Sequence, residues 1–197
     1  MLSLLHPIIL VFILFDFQTT GIVLTKLVLF KDSHSLYADI ESNYAMDEKT
    51  RSTLVSGVPL QLNITVKLFD TEDIEKSKIH IDIDIHYDVW NEFYTLQYPD
   101  RLEKFSSLDS LKRALNNLKH VALFPLEQMQ TDKEYYISMK LRMINATSGS
   151  VIDSINRSPS TTGFGLSTII KFFFGSSDEK TQWHRSDKFL TDRLEKR

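Results

Sequence analysis

Leu60-Gln61-Leu62-Asn63-Ile64-Thr65-Val66-Lys67-Leu68 and Ile79-His80-Ile81-Asp82-Ile83-Asp84-Ile85-His86 decide the fold. In both stretches an aliphatic residue stands at every second position. Side chains of a β-strand alternate between its two faces, so this period puts the aliphatics on one face and the polar residues on the other. Such strands belong to an antiparallel sheet that turns one face to a core and one to water. Tyr135-Ile137-Met139-Leu141-Met143 repeats the pattern further along.

The flanking segments extend this picture. Ile22 to Phe30 is rich in β-formers and reads as a first strand, and Leu36-Tyr37-Ala38-Asp39-Ile40-Glu41 as a second. Asn91-Glu92 separates the second quoted stretch from Phe93-Tyr94-Thr95-Leu96, which predicts a hairpin running into a meander. Asp47 can cap a short helix ending near Leu54, with Gly57 in the left-handed position that stops it and Pro59 barring continuation. The best helix runs from the cap Ser107 to Leu118, with Leu108, Leu111, Leu115 and Leu118 on one face. Long helical crossovers are missing, which argues against a parallel βαβ sheet. The expected fold is therefore mainly β: an antiparallel β-sandwich or curved sheet with one packed amphipathic helix and one short helix. No internal repeat is found.

Composition narrows the class. The 197 residues are 42% hydrophobic and 25% charged, as in ordinary globular proteins. A net charge of −3 and a pI near 6.1 speak against the basic stripe of a nucleic-acid binder. The absence of cysteine excludes disulfides, thiolate nucleophiles, zinc ribbons, iron–sulfur sites and a lipidated cysteine anchor.

Three regions follow. Residues 1–21 hold the apolar run Ile8-Ile9-Leu10-Val11-Phe12-Ile13-Leu14-Phe15, and read as a signal peptide or N-terminal membrane anchor. No Lys or Arg precedes the run, and Thr19-Thr20-Gly21 is a mediocre cleavage site. Residues 22–145 form the β-rich domain. Residues 146–197 comprise a Ser/Thr/Gly-rich loop, the apolar segment Thr168 to Phe174, and a charged tail expected to be mobile apart from Trp183.

Candidate chemistry is sparse. His80, Asp82, Asp84 and His86 share one strand face, with successive members ~6.5–7 Å apart. Two neighbours could share a metal with ligands from an adjacent strand, but four in a row cannot surround one ion, and the simpler account is a solvated polar face. Asp70, Glu72, Asp73 and Glu75 read as a solvated acidic turn, because Lys76 and Lys78 follow and the glycine of a calcium loop is absent. Gly163-Phe164-Gly165-Leu166-Ser167 departs from the nucleophile-elbow pattern and reads as a loop. Lys26, Lys31, Arg185, Lys188, Arg193, Lys196 and Arg197 read as solubilising charges. Asn63, Asn145 and Asn156 begin glycosylation-type triplets of a kind that arises by chance. Phe172-Phe173-Phe174 cannot all enter one sheet core. With Trp183 they are the candidate partner contact.

The order of elements carries a family resemblance. Tyr37-Ala38-Asp39-Ile40, Leu54-Val55-Ser56-Gly57-Val58-Pro59-Leu60, the meander from Ile85-His86-Tyr87 to Phe93-Tyr94, the Leu108-Asp109-Ser110-Leu111-Lys112-Arg113-Ala114-Leu115 helix and the Tyr135-Tyr136-Ile137-Ser138 strand together resemble the DUF4390 family. The resemblance covers roughly residues 22 to 145, with Trp183 and Ser186 echoing a C-terminal tryptophan segment. The chain departs from the pattern in its acidic Phe69-Asp70-Thr71-Glu72-Asp73 and in Ser158-Pro159-Ser160-Thr161-Thr162 where a proline-rich link is usual. The resemblance implies an exported bacterial protein, periplasmic or anchored to the inner membrane, and brings no catalytic residues with it. The function expected is a non-enzymatic binding or structural module at the bacterial cell envelope. The alternative is a metal-dependent hydrolase using the His80/Asp82/Asp84/His86 face. No catalytic, cofactor-binding or metal-ligating residue is assigned, and no cofactor. The expected partner is an envelope or membrane protein rather than nucleic acid, with membrane association through the N-terminus.

Overall fold

The computed structural model of the chain describes residues 22–145 and 182–197. The period-two stretches form β3 (Leu60–Asp70), β4 (Glu75–Asp88) and β8 (Glu134–Asn145), which pair antiparallel with β3 in the middle. Every second residue of β3 from Leu60 to Asp70 is buried, and Ile81, Ile83 and Ile85 of β4 face the same interior. Burying each such aliphatic side chain stabilises the fold by about 1.5–3 kcal/mol. β5 (Phe93–Gln97) and β6 (Leu102–Phe105) continue the meander beyond β4. A smaller antiparallel sheet runs β1 (Val23–Lys31), β2 (Ser35–Asn43) and β7 (Asn117–Pro125), in that order. Leu36, Ala38, Ile40 and Leu118 of the smaller sheet join Leu62, Ile64, Ile83 and Met139 of the larger in one continuous core. The architecture is thus the mainly β, antiparallel, sandwich-like fold that the alternation predicts.

Two helices attach to it. α1 (Glu48–Val55) is capped by Asp47, whose Oδ1 accepts the Thr50 N–H at 2.7 Å, and Gly57 follows at φ +85°. α2 (Leu108–Leu115) starts at Ser107, buries Leu111 and Leu115, and packs on β5, β6 and β7. It is shorter than its leucine spacing suggests. Asn116 caps its C-terminus and accepts the Tyr44 N–H through Oδ1 at 2.8 Å, so the chain leaves the helix there. Leu118 is buried, but from β7, opposite Ile40.

β7 and β6 were not legible in the sequence. The pairing of β7 with β2 shifts register twice, and His120 sits at φ +53°. These irregularities scramble the period that marks a strand. β6 has only four residues, two of them charged.

The acidic turn after β3 is not simply solvated. Asp70 is buried: its Oδ1 accepts the Glu72 and Ile74 N–H groups at 3.1 and 3.0 Å, and its Oδ2 meets Lys76 Nζ at 2.7 Å. The larger correction concerns the charged end. Residues 182–197 are not a loose tail. β9 (His184–Arg185) and β10 (Phe189–Leu190) both pair with β8, covering the edge that β3 leaves open. The chain then crosses to the smaller sheet, where Lys31 N–H donates to the Glu195 carbonyl at 3.0 Å and Arg197 N–H to the Lys31 carbonyl at 3.1 Å. An uncovered edge strand offers its unpaired backbone groups to other chains, and this segment covers the Glu134–Met139 part of β8 and the Lys31 end of β1. Residues 1–21, the loop and apolar segment of 146–181, and with them Phe172, Phe173, Phe174 and Gly163 to Ser167, lie outside the described residues. Among the described residues no helix is long and apolar enough to cross a membrane.

Candidate functional site

Strand register organises the outer face of the larger sheet. Gln61, Asn63 and Thr65 of β3 stand opposite Asp84, Asp82 and His80 of β4. Each pair is bonded: Gln61 Nε2 donates to Asp84 Oδ1 at 2.8 Å, Asn63 Nδ2 to Asp82 Oδ1 at 2.6 Å, and Thr65 Oγ1 lies 3.1 Å from His80 Nδ1. On the other side of β4, β5 presents Gln97 to Asp84 and Thr95 to His86. The residues flanking the ladder are therefore amides and hydroxyls, and the ladder is a set of cross-strand polar pairs. Among the described residues no three His, Asp or Glu side chains are grouped as a metal ion would need.

On the β8 side the same rows end in cations. Asn63 lies between Asp82 and Arg142, and Thr65 between His80 and Lys140. Over these rows the outer face thus runs from Asp82 and Asp84 on β4, across the uncharged Gln61, Asn63 and Thr65 of β3, to Arg142 and Lys140 on β8.

The C-terminal segment adds aromatic surface to this basic side. Because His184 and Arg185 pair with Met139 and Ser138, Trp183 reaches the ring position beside Lys140. Lys67 Nζ lies 5.5 Å and Lys140 Nζ 5.9 Å from its ring centroid, within cation–π range. The indole still leaves 42% of its surface to solvent. Next to it, Phe69 and Tyr136 stack with centroids 5.0 Å apart and planes 7° from parallel. The Arg185 guanidinium covers the far side of Tyr136 at 3.5 Å. Asp73 ties the stack together, accepting from the Tyr136 hydroxyl at 2.7 Å and from Arg185 Nη2 at 3.2 Å. The Tyr136 hydrogen bond, reinforced by the Arg185 charge, holds the Asp73 carboxyl below the usual carboxylate range. Burial and the hydrogen bond to Asp73 push the Tyr136 phenol up.

Phe69, Trp183, Lys140 and Arg142, with Lys67 paired to Glu75 at 2.7 Å and Tyr136 buried beneath, therefore make a basic, aromatic ledge on the sheet. It can stack on flat groups and attract acidic ones, and it offers no nucleophile with an adjacent base. Of the sequence-derived contact residues, Trp183 lies in the ledge. Lys31, Arg185 and Arg197, expected to be plain solubilising charges, hold the closing segment in place instead. Lys31 does so by donating its ammonium to the Thr191 carbonyl. Phe69 and Tyr136 were detectable in principle, since both are aromatics on the polar phase of strongly alternating strands.

The fold is a mainly β, antiparallel, sandwich-like domain, and this surface is an aromatic ledge built across β3, β8 and the C-terminal segment. The model of DUF4390, a domain of unknown function, matches residues 19–149, and the chain belongs to that family. No curated protein and no solved structure matches it.

Proposed function

We propose that this chain is a non-enzymatic binding module of the bacterial cell envelope, exported and held there, that receives an acidic segment of a protein partner on its aromatic ledge. The observation that carries this is Trp183, a side chain left 42% exposed immediately before β9, with Lys67 and Lys140 against its ring. Tryptophans and arginines dominate the energetics of protein interfaces, and such a fixed side chain loses little entropy on binding. Arg142 and Lys140 supply the charge that selects acidic sequences and speeds encounter. The apolar run Ile8 to Phe15 supports export. The polar pairing of His80, Asp82 and Asp84 with β3 gives the hydrolase alternative no converging ligand from β3 or β5.

A photo-crosslinking amino acid at position 183, expressed in a bacterial envelope, tests the proposal. A discrete protein adduct is expected, lost on Lys140→Glu together with Arg142→Glu, and absent when the probe sits at exposed Glu127. An adduct insensitive to the charge reversals, or none, would sink it.

A further inference from the structure

Trp90 is the most exposed large apolar side chain among the described residues, at 93%. It sits at the tip of the β4–β5 hairpin, in a turn that is tightly fixed. Asp88 Oδ1 accepts the Trp90 and Asn91 N–H groups, both at 3.0 Å, and Asp88 Oδ2 accepts Asn91 Nδ2 at 2.9 Å. Glu92 N–H closes the turn on the Asp88 carbonyl at 2.8 Å with Glu92 at φ +54°. A side chain of this size can bury 150–250 Å² of surface, so a fold that displays all of it on an ordered tip forgoes a large stabilisation. A single exposed apolar residue needs no explanation, whereas several gathered together mark a contact.

The surroundings indicate which contact. Val89, Val55 and Val23 are also exposed, at 53%, 39% and 44%. The register gathers them at one end of the domain. Val23 stands opposite Asn43, the last residue of β2, and α1, which ends at Val55, begins shortly after it. Gly57, just past α1, approaches the Val89 side chain. Leu60 pairs with Ile85, three residues before the turn begins at Asp88. Leu60 also pairs with Asn145, so the chain leaves for residues 146–181, which include Phe172-Phe173-Phe174, from this same end. The apolar run of residues 8–15 likewise joins the domain here, through Ile22. Under the turn, Tyr87 and Tyr94 lie half-buried with ring centroids 4.6 Å apart.

We propose that this end lies against a lipid bilayer, with the Trp90 indole seated in the headgroup layer. Trp and Tyr concentrate at that depth because an amphipathic ring satisfies both apolar and polar surroundings there. The tip offers the separate exposed side chains Trp90 and Val89. Its charges are mixed and carry no basic excess, Asp88 and Glu92 at the turn and Arg51 paired with Glu48 on α1 at 3.1 Å, so the contact needs no anionic lipid. The apolar run Ile8 to Phe15 joins the domain at this end, which suits a bilayer and not an acidic protein segment. This proposal rests on the envelope location proposed above but not on the ledge.

The chain has two tryptophans, which makes the test direct. The full chain is reconstituted in phosphatidylcholine vesicles as Trp183→Phe, leaving Trp90 as sole emitter, and as Trp90→Phe, leaving Trp183. Brominated phosphatidylcholine should quench Trp90 several-fold more than Trp183 and leave Trp183 open to aqueous acrylamide. Equal quenching, no quenching, or failure of the chain to associate with vesicles overturns the proposal. So does a Trp90 shielded only when an envelope protein is added, which makes the turn a protein-docking element. Since the chain contains no cysteine, Trp90→Cys carrying a nitroxide supplies an independent readout should Trp183→Phe fold poorly. Its relaxation should respond to oxygen more than to a water-soluble nickel chelate, and the opposite order overturns the assignment. Trp183 crosslinks without Trp90 quenching would leave the ledge standing and the lipid contact refuted.

Discussion

Arg197 Nη1 lies 3.1 Å from Oδ2 of Asp39, so the C-terminal segment neutralises a carboxylate of β2 that is only 7% exposed. Asp39 also accepts the His120 N–H through Oδ1 at 3.0 Å and faces Lys119 Nζ at 3.5 Å. The Arg197 guanidinium covers Phe30, whose ring meets His120 edge-on. One carboxylate thus joins β2, the strained bend of β7 and the segment that locks β1.

The pH dependence of stability follows from it. Burial pushes the Asp39 carboxyl up, but the His120 N–H and the Lys119 charge outweigh burial and hold it below its ordinary value of 3.8. A depressed carboxylate stabilises the fold above its unfolded value, and that stabilisation is lost as pH falls through the folded one. Asp39→Asn should therefore cost ~1–3 kcal/mol at pH 7, the usual range for weakening a buried charged hydrogen-bond centre. The gap to wild type should shrink below pH ~4. Urea titrations at pH 7 and pH 3 check this; an equal gap at both pH values contradicts it.

Gly57→Ala should lower stability by ~1–2 kcal/mol, the cost of a left-handed conformation for a residue with Cβ. A Cβ there would lie 3.4 Å from Val89 Cγ2, so the penalty is conformational rather than a steric clash. Denaturant midpoints of Gly57→Ala and Gly57→Asn discriminate, since Asn tolerates this region and should lose less. Equal losses would mean that the backbone angle is not what matters.

Leu111→Ala and Leu115→Ala should each cost ~2–5 kcal/mol, because both are almost wholly buried between α2 and the sheets. Leu118→Ala should cost as much through β7 rather than the helix, whereas half-exposed Leu108→Ala should cost distinctly less. Thermal melts read the order directly. A Leu111 variant that melts like Leu108→Ala would remove the helix-on-sheet packing.

Tyr98 should be the last tyrosine to ionise. Burial, helped by nearby Glu103, pushes its phenol up to about 12, although the Arg101 guanidinium lies 3.6 Å from its ring centroid and pulls the other way. A raised phenol contributes stability that is intact below the unfolded value near 10 and lost as pH climbs through the folded one. Absorbance titration at 295 nm should show a step missing from the Tyr98→Phe trace, coincident with alkaline unfolding. A full complement of tyrosines ionised near pH 10 with the fold intact would refute it.

What the sequence by itself determined about this protein is the antiparallel β character and the inward face of each regular strand. Leu60 to Leu68, Ile79 to Ile85 and Tyr135 to Met143 alternate without interruption, and period two has a single structural meaning when one face is buried. Local chemistry determined the caps as well: Asp47, Ser107 and Gly57 act on backbone groups within a few residues. Only the tertiary structure decided where α2 ends, because Asn116 is diverted by Tyr44, distant in sequence. It alone decided that β7 is a strand, since its register shifts and His120 are compensated by Asp39 across the sheet. The ledge is the same kind of fact. Lys67, Tyr136, Lys140 and Trp183 come from three separate segments, and nothing local in any of them specifies the others. Long-range pairing brings them together, and a charged stretch such as residues 184–197 looks mobile until the edges it covers are known.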